Sequence, residues 1–173
     1  CIEAYPEVQK IVDYEKLNLQ RFLPGALVHY KNNLHLVSDP FRRPQDIFKS
    51  LVTPIGSLSD KLRVALLRLD SQLTDIDALV EGNIGEESTL DFLRKRGFSQ
   101  SMIDRFFVPF YQGIFLTELE NQSSTMFQFV FRMLLEAPTS IPALGIGQIP
   151  AHIASSLADG TVKLNSRVKS VSS

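Results

Sequence analysis

Few residues of this chain are of types that do chemistry, and their spacing decides which of them can act together. The stretch "PALGIGQIPAHIASSLADGTVKLNSRVKSV", Pro142 to Val171, sets Gly145 and Gly147 one residue apart ahead of an apolar, helix-like run. Two such glycines begin a dinucleotide cradle when three conditions hold. A buried strand precedes them, a third glycine lets the helix pack on that strand, and an acidic residue about twenty positions on receives the ribose. Here Pro150 stands where the third glycine belongs, and Pro138 and Pro142 in "APTSIPA" argue against a central strand. Arg167, among basic and polar neighbours, stands where the acid is needed. The glycine pair therefore reads as a hinge before a helix.

The histidines do not assemble a metal site. "GALVHYKNNLHLV" reads as two strands joined through Asn32-Asn33, residues that accept left-handed backbone angles. With Lys31 opposite Leu34, Tyr30 faces His35 and His29 faces Leu36, so the two imidazoles fall on opposite faces of the hairpin. His152 stands by itself on the late helix and reads as structural. Asp75, Asp77 and Glu81 lack the glycine and closing glutamate of a calcium loop. Cys1 is the single cysteine, which excludes an internal disulfide and a thiolate cluster. No sequence pattern pairs a nucleophile with a base, binds a nucleotide triphosphate or places two carboxylates in an apolar setting.

Composition bounds the class of protein. With 173 residues, of which 44% are hydrophobic and 21% charged, the chain can fill one core. A net charge of -1 supplies no basic field to gather a phosphate backbone, so nucleic acid is not an expected partner. No apolar run approaches the length of a membrane span, and no signal peptide is evident. These absences suit a soluble or peripheral setting, cytoplasmic or plastid. The sequence opens on Cys1 and stops at "VKSVSS", just after a strand-like segment, as expected of a piece of a longer chain.

The elements that must position any site follow from periodicity. A short helix begins at Pro6 in "YPEVQKIVDYEKL". In "SLSDKLRVALLRLDSQL", Ser57 and Asp60 form a capping-box pattern, and Leu58, Leu62, Ala65, Leu66, Leu69 and Leu73 recur at helical spacing. That stripe is expected to be the buried face, with Lys61, Arg63 and Arg68 mostly off it on a solvated one. "STLDFLRKRGF" reads as a helix from Ser88 to a basic last turn before Gly97, and Ser99 opens the next. That next helix carries Phe106, Phe107, Phe110, Tyr111 and Phe115, with Pro109 able to kink or break it. "TMFQFVFRMLL" adds Phe127, Phe129 and Phe131. Such aromatic density makes core, and part of it can also wall an apolar ligand pocket.

The order of segments from "FFVPFYQGIFLTELENQSSTMFQFVFRMLL" through "IPAHIASSLADGTVKLNSRVKSV" resembles the middle of FAD-dependent oxidoreductases of the amine oxidase superfamily, which includes monoamine oxidases, protoporphyrinogen oxidase and carotenoid desaturases. "FLPGALVHYKNNLHLVSDP" resembles the strand pair that opens the substrate domain of that family. The resemblance implies an α+β fold, mostly helical, with an N-terminal antiparallel hairpin and a C-terminal strand pair belonging to the FAD-binding domain. It implies a substrate-binding domain over residues 1–141, and a hinge, helix and strands over 142–173 leading back to an FAD-binding domain outside this sequence. It places Val168, through its backbone, and Arg167 beside it against FAD. The aromatic helices, with Phe110, Tyr111, Phe127 and Phe131, are to wall a pocket for an apolar or amine substrate that gives a hydride to the flavin. The isolated chain is expected to be inactive, and its last strands to be disordered or paired with a neighbouring chain. A free-standing helical module that binds an apolar ligand or a partner helix is the alternative.

Overall fold

The computed structural model describes residues 1–38, 42–46, 52–76, 79 and 87–171. Helix α1, Pro6–Ile11, starts on a proline whose missing N–H costs nothing at the first helical position. Strand β1, Leu19–Arg21, follows, and then the hairpin of β2, Gly25–Tyr30, and β3, Asn33–Ser38. The helical half comprises α2, Leu58–Leu73, α3, Thr89–Lys95, and α4, Gln100–Met102. A π-turn, Ile103–Phe107, joins α4 to α5, Val108–Phe115, and α6, Ser124–Glu136, comes next. Strand β4, Ser140–Pro142, and helix α7, Gln148–Ser155, complete the described elements. The fold is α+β and mostly helical, with two antiparallel sheets of two strands each among the described residues.

Strand β4 lies antiparallel to β1, with Gln20 opposite Ile141, and the chain start lies along its other edge. There the N–H of Glu3 donates to Pro138 O at 3.0 Å and the N–H of Ser140 to Cys1 O at 2.8 Å. Glu3, buried, accepts from Arg21 Nε at 3.1 Å and Nη2 at 2.9 Å. The Arg21 hydrogen bonds outweigh burial and hold the carboxyl below its ordinary range.

The hairpin forms where expected, but its turn lies one residue earlier. Tyr30 is opposite Asn33, so Lys31 and Asn32 are the loop, both with positive φ, 50° and 59°. Moving the loop by one residue shifts each cross-strand partner by two, and side-chain direction alternates every residue. His29 and His35 therefore still face opposite ways, which explains why the apolar pattern could not separate the two registers.

Helix α2 departs most from expectation. The capping box is present: Ser57 Oγ accepts from the Asp60 N–H at 3.1 Å, and the Ser57 N–H donates to Asp60 Oδ2 at 2.7 Å. The leucine stripe, however, faces solvent. Leu58, Leu62, Leu66, Leu69 and Leu73 are between 52 and 86% exposed, while Asp60, Leu67 and Ser71 form the buried side. Polar anchors decide the orientation. The fully buried Asp60 carboxylate also accepts from the Ser99 N–H at 2.8 Å and Ser99 Oγ at 2.7 Å, so one group caps both α2 and α4. At the other end, Arg132 of α6 donates to Ser71 O and Thr74 O, carbonyls that the helix terminus leaves unpaired. Before the cap, Gly56 has φ +76°, and a Cβ there would stand 2.6 Å from Met102 Sδ.

The core lies between α3, the α4–α5 segment and α6. Phe92, Leu93, Phe98, Ile103, Phe107, Tyr111 and Phe127 are among its members. Pro109 has no N–H to give the helical ladder, and the π-turn absorbs the loss: the N–H of Val108 donates to Ile103 O, five residues back. The helix axis continues, so the aromatic residues on both sides of Pro109 pack on one core. Gly97, at φ +79°, ends α3 with its N–H on Arg94 O at 2.8 Å and the Phe98 N–H on Leu93 O at 3.2 Å.

The C-terminal strand pair, expected to belong to the FAD-binding domain, is not paired within the described residues of this chain. Among the described residues no strand follows Pro142, and residues 157–171 are exposed without a ladder. An extended backbone needs a neighbour to receive its N–H and C=O groups, and the described residues form no ladder with the segment.

Candidate functional site

The helical half and the β2–β3 hairpin line an open cavity of about 1160 Å³, with Phe22, Leu23 and Ile114 exposed at its mouth. The residues that wall it lie on recurring helical positions. Phe106, Phe110 and Ile114 repeat every four residues, which puts them on one side of the α4–α5 segment. Phe131, Leu134 and Leu135 come from α6, Val64 and Ala65 from α2, Ala26 and Val37 from the hairpin, and Phe22 and Leu23 from the loop between β1 and β2.

The ring geometry shows how the wall is held. Phe106 and Phe110 stack at 5.6 Å, with ring planes 7° apart. Behind them, Tyr111 lies 4.6 Å from Phe127 and 5.7 Å from Phe115. Such contacts fix the rings beyond what burial alone provides. Tyr111 is buried, and desolvation pushes its phenol far above the ordinary value, so it is a neutral group in the wall. The hairpin is tied to this helix by Arg105, whose guanidinium lies 4.4 Å from the Tyr30 ring centroid and donates to Pro54 O at 2.8 Å.

Phe110, Tyr111 and Phe131, expected in the pocket from sequence, all line the cavity. Phe127 is fully buried behind them and stacks on Phe131 at 5.9 Å. It supports the wall without reaching its surface. Phe106, Ile114, Leu134 and Phe22 line the cavity as well. For Phe106 and Ile114 the sequence carries a signal, because both are four residues from Phe110.

Charged groups lie around the apolar wall. Arg21, Arg42, Lys61 and Arg68 contribute, as does Glu136, which pairs with Arg132. Arg42 donates to Leu135 O and, at 3.4 Å, to Ala137 O, capping the C-terminal end of α6. Lys61 Nζ donates to Thr53 O at 3.3 Å, and its burial lowers the ammonium pKa against the opposing pull of Asp60. The arrangement can surround an apolar body, exclude water from it and place cationic groups at its border.

No cluster of three or more metal-binding side chains occurs among the described residues. His152 Nε2 accepts the N–H of Asp13 at 3.2 Å and so joins α7 to the N-terminal segment. Asp77 and Glu81 lie outside the described residues. No described helix is long and apolar enough to cross a membrane.

The described residues do not fit the phosphates of a dinucleotide. The N–H of Gly145 donates to Pro142 O at 2.8 Å and that of Gln148 to Gly145 O at 3.1 Å, so these groups close a turn and do not converge on an anion. Val168 is 74% exposed and Arg167 is exposed, both in the segment without a ladder.

Comparison with known proteins places the chain in a family. The chain matches the family model described as flavin-containing amine oxidoreductase over residues 1–173. No curated protein and no solved structure matches it. Matched from its first residue to its last, the chain belongs to the flavin-containing amine oxidoreductase family.

Proposed function

We propose that the cavity is the substrate chamber of an FAD-dependent oxidoreductase that takes a hydride from an apolar or amine substrate. The observation that carries this reading is the aromatic wall: Phe106, Phe110, Tyr111, Ile114, Phe131 and Leu134 line an open cavity of about 1160 Å³. Ligand pockets commonly occupy roughly 300–1,000 Å³, so this one favours a large apolar body over a small amine. The flavin supplies the electron acceptor, while this chain binds the substrate, orients it and keeps water away. Residues 1–141 form the substrate-binding part in this reading. Residues 142–173 lead to an FAD-binding part outside them, where Val168 and Arg167 lie against the cofactor once a neighbouring strand completes the ladder.

Fluorescence titration with 1-anilinonaphthalene-8-sulfonate, an apolar fluorophore carrying an anion, tests the chamber. The expected result is saturable binding at one site, weakened about tenfold or more by Phe110→Asp and by Phe131→Asp. Binding that fails to saturate, or that both variants leave unchanged, would contradict it. Circular dichroism of each variant checks that the fold persists.

A further inference from the structure

The cavity leaves the opposite border of α2 unused. Five leucines, Leu58, Leu62, Leu66, Leu69 and Leu73, occupy roughly 80° of the helix circumference at 3.6 residues per turn. Each is at least 52% exposed, and the side of the helix that meets the protein is the opposite one, carrying Asp60, Leu67 and Ser71. A contiguous apolar strip of this kind on a protein surface marks an interaction site more often than chance exposure does. What distinguishes this strip is its symmetry. About a midpoint between residues 65 and 66, Leu58 mirrors Leu73 and Leu62 mirrors Leu69, with Leu66 beside the midpoint.

We propose that this face docks a second copy of the chain, with the two α2 helices antiparallel about a twofold axis through residues 65 and 66. A twofold interface requires a surface complementary to itself, and the mirrored leucines meet that requirement along the whole helix. The charges agree on one border. Arg63 and Asp70 lie on the same side of the strip, two turns apart, and in an antiparallel pair like borders meet. Arg63, whose Nη1 lies 3.9 Å from the Asp60 carboxylate of its own chain, then comes within roughly 3 Å, along the axis, of the other copy's Asp70, counting 1.5 Å per residue. Asp70 meets Arg96 through Oδ2, and its second oxygen can accept from the neighbouring copy. On the other border, Lys61 and Arg68 line the cavity and so point away from the seam. A lipid surface would also accept leucines, but it would not call for an acidic residue at the border beside them.

Cysteine cross-linking in a Cys1→Ser background tests the arrangement. Leu66→Cys lies next to the axis and is expected to give a disulfide-linked dimer under mild oxidation, within the Cα separation of up to roughly 7 Å that a disulfide tolerates. Leu58→Cys alone is expected to give none, because its two copies lie roughly 22 Å apart along the axis. Mixing Leu58→Cys with Leu73→Cys is expected to restore the link. Light scattering on the purified protein should show a dimer across micromolar concentrations, and Leu62→Glu should make it a monomer with unchanged circular dichroism. A monomer at every concentration would overturn the proposal. So would cross-linking at all positions equally, which indicates parallel helices, or a monomer that floats with phosphatidylserine vesicles through the leucine face. Fluorophore binding in the cavity is read separately, so failure of the dimer and failure of the substrate chamber are distinguishable.

Discussion

Helices α2 and α4–α5 are both rich in apolar residues at helical spacing, yet they use them in opposite ways. The aromatic segment buries Phe107 and Tyr111 in the core, where both also back the cavity, and turns Phe106, Phe110 and Ile114 to the cavity. Helix α2 turns its leucines outward and is held by Asp60 at one end and Arg132 at the other. Apolar periodicity thus identifies a face, and long-range polar contacts decide which way that face turns. For α2 the deciding partners, Ser99 and Arg132, are 39 and 61 residues from the groups they contact.

The largest effect should come from breaking the aromatic side of this contrast. Phe107 is 1% exposed and touches Phe98, Phe106, Tyr111 and Phe127, so Phe107→Ala is expected to cost about 3–5 kcal/mol in chemical denaturation. A loss below 1 kcal/mol, roughly, would mean that the rings do not form a packed core. Asp60→Ala should cost about 3 kcal/mol, because it leaves the first turns of two helices without their shared acceptor. Loss of α2 helicity in that variant, with the aromatic near-ultraviolet signal retained, would sharpen the distinction between the two modes of anchoring.

Acid should reach the polar anchor first. Burial opposes ionisation of Asp60, but hydrogen bonds from Ser57 and Ser99 outweigh it and lower the pKa to about 2. The unfolded chain returns this group to about 3.9, so its contribution is complete above that pH and is lost as pH falls towards 2. The expected change is about 2.5 kcal/mol over that interval, absent in Asp60→Asn. An identical acid profile in the variant would show that Asp60 is not the group titrating. The smallest effect is expected on the leucine face, where Leu69→Ser should change the stability of the monomer by less than about 0.5 kcal/mol. A larger loss in the monomer would mean that the face is covered within the chain.

Local signals in the sequence were reliable where their partners are also local. Ser57, Ser88 and Ser99 each cap a helix with a donor a few residues away, and Gly97 ends α3 as its position implied. The hairpin was legible, and its turn was not, because both registers send the same side chains to the same face. The α+β class and the aromatic wall were legible from composition, order and resemblance. The division between Phe131 on the cavity and Phe127 behind it was not, since four residues apart they share a side of α6 and only the packing of α5 separates them. The C-terminal strand pair shows the converse limit: a strand-like sequence becomes a strand only where a neighbour takes its hydrogen bonds.

The most direct test of the chamber is photolabelling with a diazirine-bearing alkyl chain, followed by mapping of the labelled residues by mass spectrometry. Labels on Phe106, Phe110, Phe131 and Leu134, displaced by excess unlabelled chain, are the result expected if the apolar substrate enters between α2, α4–α5 and α6. Labels confined to Leu58, Leu62, Leu69 and Leu73, with the aromatic wall untouched, would contradict that account and assign apolar recognition to the outer face of α2.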